Sequence, residues 1–318
     1  MVAKRSLAAV VAFIGLVAGA CAPASNTKTE RYSPPPPMAL VAIVDPSAGR
    51  LAEQLRQLEG VIRAGAMPGE AVVVMILQPS FGKTYTVQPG DNLDSIAADH
   101  GVTLAALEAA NPQLGPLSGR NWKLIHPSER VLIPDGAAQD ALLLVSRAPQ
   151  GPPLPELRRI PPPPANPTDY QRAQYNHKAE ADKATNDARV AQWTAEAAKS
   201  VQPWQAQVVA GLEQKARSVL PPARKPDRQM LSASLTAGLT TLQGLNGRRL
   251  LLILGGGEIG PTTLAPQSLA GVNLVIANLS SPKAAAAWSA AGAGAGADSV
   301  NTLDAALTRL QLPQVVNH

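Results

Sequence analysis

Tyr85–Leu114 reads YTVQPGDNLDSIAADHGVTLAALEAANPQL, and its punctuation differs from the Ala- and Pro-rich chain around it. Thr84 to Val87 alternates like a short strand, and Gln88-Pro89-Gly90-Asp91 is a turn. Asp91 is placed to cap a helix whose apolar positions are Leu93, Ile96 and Ala97. Gly101 ends that helix in left-handed backbone. Thr103 opens a second helix with Leu104 and Leu107 facing inward, and Asn111-Pro112 stops it. A longer loop leads to a second strand, Arg130 to Ile133, closed by Pro134. Strand, helix, helix, strand in about fifty residues predicts one small core, two paired strands covered by two helices.

Outward from this unit, the apolar run ALVAIVD, Ala39–Asp45, suits a central strand of a covered sheet. A helix is expected from about Gly49 to Ala64, with Leu51, Leu55, Leu58, Val61 and Ile62 on its apolar face. Further strands are expected within Gly69–Gln78, Asp140–Arg147, Gly247–Gly257 and Gly271–Leu279. Helices are expected over Pro226–Leu245, Pro282–Ala291 and Thr302–Leu310. Strands alternating with helices predict a three-layer, Rossmann-like α/β sheet built from residues 39–78, 140–147 and 226–310. The small unit, residues 84–134, then interrupts this sheet. Met75–Gln78 and Ala141–Val145 are expected to be neighbouring strands joined through it, because a hairpin tip is where an insertion costs least.

Residues 148–167 form a Pro-rich linker, unfit for a helix interior or a central strand. A long helical segment, residues 168–220, follows. Val190, Trp193, Ala197, Val201, Trp204 and Val208 recur at three- and four-residue steps, a stripe that must bury. Pro203 is expected to divide the run, with Ser200 capping its second part. Two readings stand: an arm that completes the α/β domain, or a rod that docks an envelope protein.

The chain begins MVAKRSLAAVVAFIGLVAGAC. Lys4 and Arg5, a short apolar run and then small residues have the order of an export signal, too short to span a bilayer. Cys21 is the single cysteine among 318 residues, so no intramolecular disulfide can form. Residues 21–38 read as a disordered, Pro-ending tether. Removing residues 1–20 takes away Lys4 and Arg5 and lowers the formal net charge from +5 to +3. That small, dispersed excess suits an anionic surface and argues against nucleic acid.

Three resemblances sharpen this reading. Residues 84–134 resemble a LysM domain through Tyr85, Val87, Gly90, Asp91, Asn92, Leu93, Ile96, Ala97, Gly101, Leu107, Asn111 and the run NWKLIHPSERVLIP, Asn121–Pro134. Asn92 stands where the family usually has Thr or Ser, and Ser128 where it usually has Gly. The resemblance implies binding of an N-acetylglucosamine polymer such as peptidoglycan. Its groove would run between Gly90, Asp91, Asn92 and Leu93 on one side and Leu124, Ile125 and His126 on the other. The α/β portion resembles a von Willebrand factor A-like fold. That family's metal site survives only as Asp45 and Ser47, with Gly49 in place of the last Ser, so no metal and no cofactor is expected. AGAC, Ala18–Cys21, resembles a bacterial lipoprotein signal. It implies an acylated Cys21 and a lipid anchor on the extracytoplasmic side of a bacterial membrane.

No catalytic set emerges. His100, His126, His177 and His318 stand apart from any nucleophile or HExxH pattern. The expectation is a wall-binding lipoprotein with no enzymatic activity, whose α/β domain is a scaffold or docks an envelope protein. Two alternatives remain. One is a peptidoglycan hydrolase with an unrecognised site, for which Glu108 with a distant Asp is the nearest candidate. The other is an interaction lipoprotein whose LysM unit no longer binds glycan.

Overall fold

The structure, a computed structural model, describes residues 29–47, 50–135, 142–219, 225–255, 259–261, 263–279 and 281–303. The export signal, Cys21, Gly49 and all but the first two residues of the expected last helix lie outside them. The chain forms two compact units: one holds the N-terminal residues to Tyr32 together with Glu156–Ala188, the other Ser33–Pro155 together with the chain from Arg189 on.

Six strands of the larger unit are β2 (Met38–Val44), β3 (Ala71–Ile76), β6 (Leu142–Arg147), β8 (Arg248–Ile253), β9 (Val272–Ile276) and β10 (Ser299–Thr302). They form one sheet in the order β10-β9-β8-β2-β3-β6. Every pairing is parallel except that of β6, which runs antiparallel along β3 at the edge. All seven residues of β2 are buried because both of its faces are covered. Ala39, Val41 and Ile43 point to a core shared with α5 (Arg228–Gln243) and α6 (Pro282–Gly294). Met38, Leu40, Ala42 and Val44 point to a core shared with α1 (Leu51–Gly65) and α4 (Asp169–Ser218). The result is three layers, as the alternation of strands and helices predicts. At Gly238 of α5 an added Cβ would come within 3.3 Å of Val41 Cγ1, so that helix lies close to the sheet.

Three expectations need correcting. The helical run is one helix, not two: α4 continues through Pro203. Ser200 caps nothing; its hydroxyl donates to Ala197 O at 2.7 Å. Burial of Val201, Trp204, Val208 and Leu212 on the sheet holds the helix together across the missing N–H. Trp204 Nε1 also donates to Ser146 Oγ at 2.8 Å. This half of α4 therefore completes the α/β body. Second, Ser299–Thr302 is a sixth strand, so Thr302 ends a strand where a helix was expected to begin. Its polar sequence lacks the apolar run that marks the inner strands.

The third correction lies in the smaller unit. Thr29–Arg31 (β1), expected within a disordered tether, pairs antiparallel with Glu156–Arg158 (β7), inside the expected linker. The Asn186 side chain extends this ribbon, donating to Arg158 O and accepting from Arg158 N, each at 2.8 Å. Arg158 also reaches Asp182 at 3.0 Å.

Between β3 and β6 the chain builds β4 (Lys83–Thr86), α2 (Leu93–Asp99), α3 (Leu104–Ala110), 3-10 turns at Pro112–Leu114 and Pro116–Ser118, and β5 (Arg130–Ile133). β4 and β5 pair antiparallel, Lys83 opposite Ile133 and Thr86 opposite Arg130. Val87, Leu93, Ile96, Ala97, Leu107, Leu114, Val131 and Ile133 make a separate small core. Phe81, Leu117 and Leu132 instead bury in the core that contains α5, which ties this insert to the body.

Candidate functional site

The two expected walls of the groove are the turn before α2 and the loop before β5. Past Thr86 the strand pairing continues. Val87 N donates to Glu129 O, and Ser128 N donates back to Val87 O, both at 2.9 Å. The two loops therefore leave the sheet side by side. Ser128 takes φ +72°, the left-handed conformation that explains why the related pattern prefers Gly there. Gly90 takes φ +95° with open space around it, so backbone conformation is what asks for glycine.

Asp91 does not cap α2. Asn92 does, accepting from Ser95 N at 2.8 Å, while Ser95 Oγ accepts from Asn92 N at 3.2 Å in a reciprocal capping box. Asp91 Oδ2 instead accepts from the Tyr85 hydroxyl at 2.8 Å and from Gln88 N at 2.7 Å, closing the turn on itself. The Asp91 hydrogen bond, then burial, then the charges of Asp91 and Asp99 push the Tyr85 hydroxyl above its ordinary pKa. His100 packs edge-on against the Tyr85 ring, centroids 5.1 Å apart.

The second loop is braced by an ion pair for which residue order offers no cue. Arg120 Nη1 and Nη2 donate to Glu129 at 2.6 and 3.1 Å, and Nη2 also donates to Leu124 O. Glu129 Oε2 further accepts from His126 N at 2.8 Å. Burial alone would raise the Glu129 carboxyl. The Arg120 and His126 hydrogen bonds, with the charges of those two residues, outweigh it and hold the carboxyl below its ordinary value.

Gly90, Asn92, Leu124 and His126 are exposed, and Asp91 and Ile125 are half-buried. Leu124 keeps 56% of its surface in solvent, unusual for a large apolar side chain on an ordered loop. Leu93 is 5% exposed and belongs to the small core, so only its backbone is offered to a ligand. The Asn92 and Asp91 side chains are already hydrogen-bonded. Beside them the second loop presents the exposed side chains of Leu124 and His126.

Asp45 and Ser47 lie at the end of β2. Ser47 N and Oγ donate to Asp45 Oδ1 at 2.9 and 2.5 Å, so the pair closes its own turn. Among the described residues no group of three or more His, Cys, Asp or Glu is placed to hold a metal ion. Also among them, no helix is long and apolar enough to cross a membrane.

Residues 85–119 match the LysM domain family and form a LysM domain. The matched residues include one expected wall of the groove; Leu124, Ile125 and His126 lie beyond them. Over 68 residues the chain is 37% identical to a Bacillus subtilis (strain 168) protein named "Putative sporulation-specific glycosylase YdhD". That stretch is 21% of this chain and spans only 15% of the relative's length. No solved structure matches the chain.

Proposed function

We propose that this protein is a bacterial envelope lipoprotein that grips N-acetylglucosamine-containing wall glycan, such as peptidoglycan, without cleaving it. Acylated Cys21 anchors it on the extracytoplasmic side of a membrane, since several acyl chains on one residue give stable attachment. The observation that carries the reading is the LysM domain at residues 85–119, in which Val87, just before the turn at Gly90–Leu93, pairs with Ser128 and Glu129, just after the loop bearing exposed Leu124. The six-stranded sheet, parallel but for one edge and covered by helices on both faces, supports a von Willebrand factor A-like scaffold.

Co-sedimentation with purified, insoluble peptidoglycan tests this. Deleting the insert is a poor control, because Phe81, Leu117 and Leu132 belong to the body's core. Leu124→Asp, on an exposed loop, is the cleaner comparison. The whole chain is expected in the pellet and the variant in the supernatant. Equal retention of both contradicts the reading.

A second reading, a glycan hydrolase, draws on the name of the Bacillus subtilis relative. Release of soluble muropeptides from sacculi would favour it, and none across varied pH and metal ions would remove it.

A further inference from the structure

We propose that the free edge of β6 accepts an extended, acidic segment of a partner protein as a seventh strand of the sheet. Among the described residues, the backbone of Leu142–Arg147 pairs with β3 alone, which leaves the outer row of N–H and C=O groups open. Natural edges are usually blunted by charge, proline or a covering element. Here Arg147 ties the end of the strand to the Pro116–Ser118 turn, but Val145, in its middle, is 41% exposed. Beside it lies a groove of about 760 Å³, within the range of sites that hold ligands.

The far wall of the groove is α3, which presents Ala105, Ala106, Ala109 and Ala110 to it. Those short side chains leave room in the groove for the side chains of an added strand. An exposed edge with apolar pockets beside it is the arrangement by which sheets capture extended peptides: main-chain hydrogen bonds bind, and alternate side chains select.

The charges name the occupant. Arg147 and Lys215 line the groove, and neither has a carboxylate partner among the described residues. Arg147 Nη1 donates to Leu117 O at 3.1 Å, while its Nε is buried without a partner. Glu108 is the single acid in the lining. Two cations against one anion favour a strand carrying carboxylates and disfavour a basic one.

The test uses the full chain and two fluorescein-labelled hexapeptides, Thr-Val-Glu-Val-Glu-Val and its counterpart with Lys in place of Glu, followed by fluorescence anisotropy. The acidic peptide is expected to saturate below about 1 mM, and the basic one to bind at least about tenfold more weakly. Ala109→Trp, at an exposed position of α3, fills the groove. It is expected to abolish acidic-peptide binding at an unchanged thermal midpoint and with unchanged sedimentation on peptidoglycan. Arg147→Glu is expected to reverse the preference between the peptides. The proposal is overturned if neither peptide saturates, or if Ala109→Trp leaves binding intact. It is equally overturned if sedimentation velocity shows a dimer that Ala109→Trp dissolves, because the occupant is then a second copy of the chain.

Discussion

Asn111 pairs with both backbone groups of Leu132: its Nδ2 donates to Leu132 O, and its Oδ1 accepts from Leu132 N, each at 2.7 Å. The same side chain donates to Leu107 O and accepts from Gln113 Nε2, so all four of its hydrogen-bonding positions are used, at 0% exposure. One buried amide thus joins the end of α3 to β5 and stands in for a neighbouring strand.

Asn111→Ala strands the Leu132 N–H and C=O in a dry site. We expect a loss of about 2 to 4 kcal/mol, read as a lower urea midpoint at unchanged slope. Asn111→Asp removes the donors and adds a buried charge, and is expected to cost at least as much.

Glu70 makes a second buried polar site, at the start of β3. It is 1% exposed, and its Oε1 has no partner. Burial raises its pKa from 4.5 to about 8, against the opposing pull of the Met67 and Met38 N–H groups and the Arg248 charge. A carboxyl raised on folding stabilises the native state while the pH is below its unfolded pKa. That contribution is lost as the pH climbs toward the folded value. Stability is expected to decline between pH 5 and pH 9, by an amount on the order of 4 kcal/mol if the whole shift is realised. Glu70→Gln is expected to flatten this decline and to be the more stable protein at pH 9; parallel pH profiles of the two proteins in urea would refute the assignment.

Pro203 sits exposed inside α4 and denies the helix one backbone hydrogen bond. Pro203→Ala is expected to raise stability by about 1 kcal/mol or more, seen as a higher thermal midpoint. Trp204→Ala, one residue on, removes a buried ring and its bond to Ser146. It is expected to cost about 3 to 5 kcal/mol. The opposite signs follow because Pro203 is exposed and costs a backbone hydrogen bond, whereas Trp204 is buried.

Much of this architecture could be read from residue order. Ala39–Val44 is apolar throughout because both faces of β2 are covered. Of the stripe on α4, Val201, Trp204 and Val208 mark the part of the helix that packs on the sheet, while Trp193 and Ala197 are buried before it. What escaped the sequence was decided by contacts between distant residues. Asp91 and Asn92 are both good helix caps. The Tyr85 hydroxyl claims one and Ser95 completes a capping box with the other. Proline propensity argues for a break at Pro203, but burial on both sides of it outweighs one lost hydrogen bond. β1 and β7 are three residues each and pair across more than a hundred positions, so neither carries a local signal. The Arg120–Glu129 brace lies in a loop without periodicity, and its effect on the groove appears only once the loop is folded.

The central claim is that sugar binds between the turn at residues 90–93 and the loop at 124–126. Titrating the isotopically labelled full chain with a soluble N-acetylglucosamine hexamer, and following backbone amide chemical shifts, tests it most directly. The account predicts saturable shifts concentrated at Gly90, Asp91, Asn92, Leu93, Leu124, Ile125 and His126, all lost in Leu124→Asp. Shifts centred on another surface, or none while the protein still sediments with peptidoglycan, would contradict it.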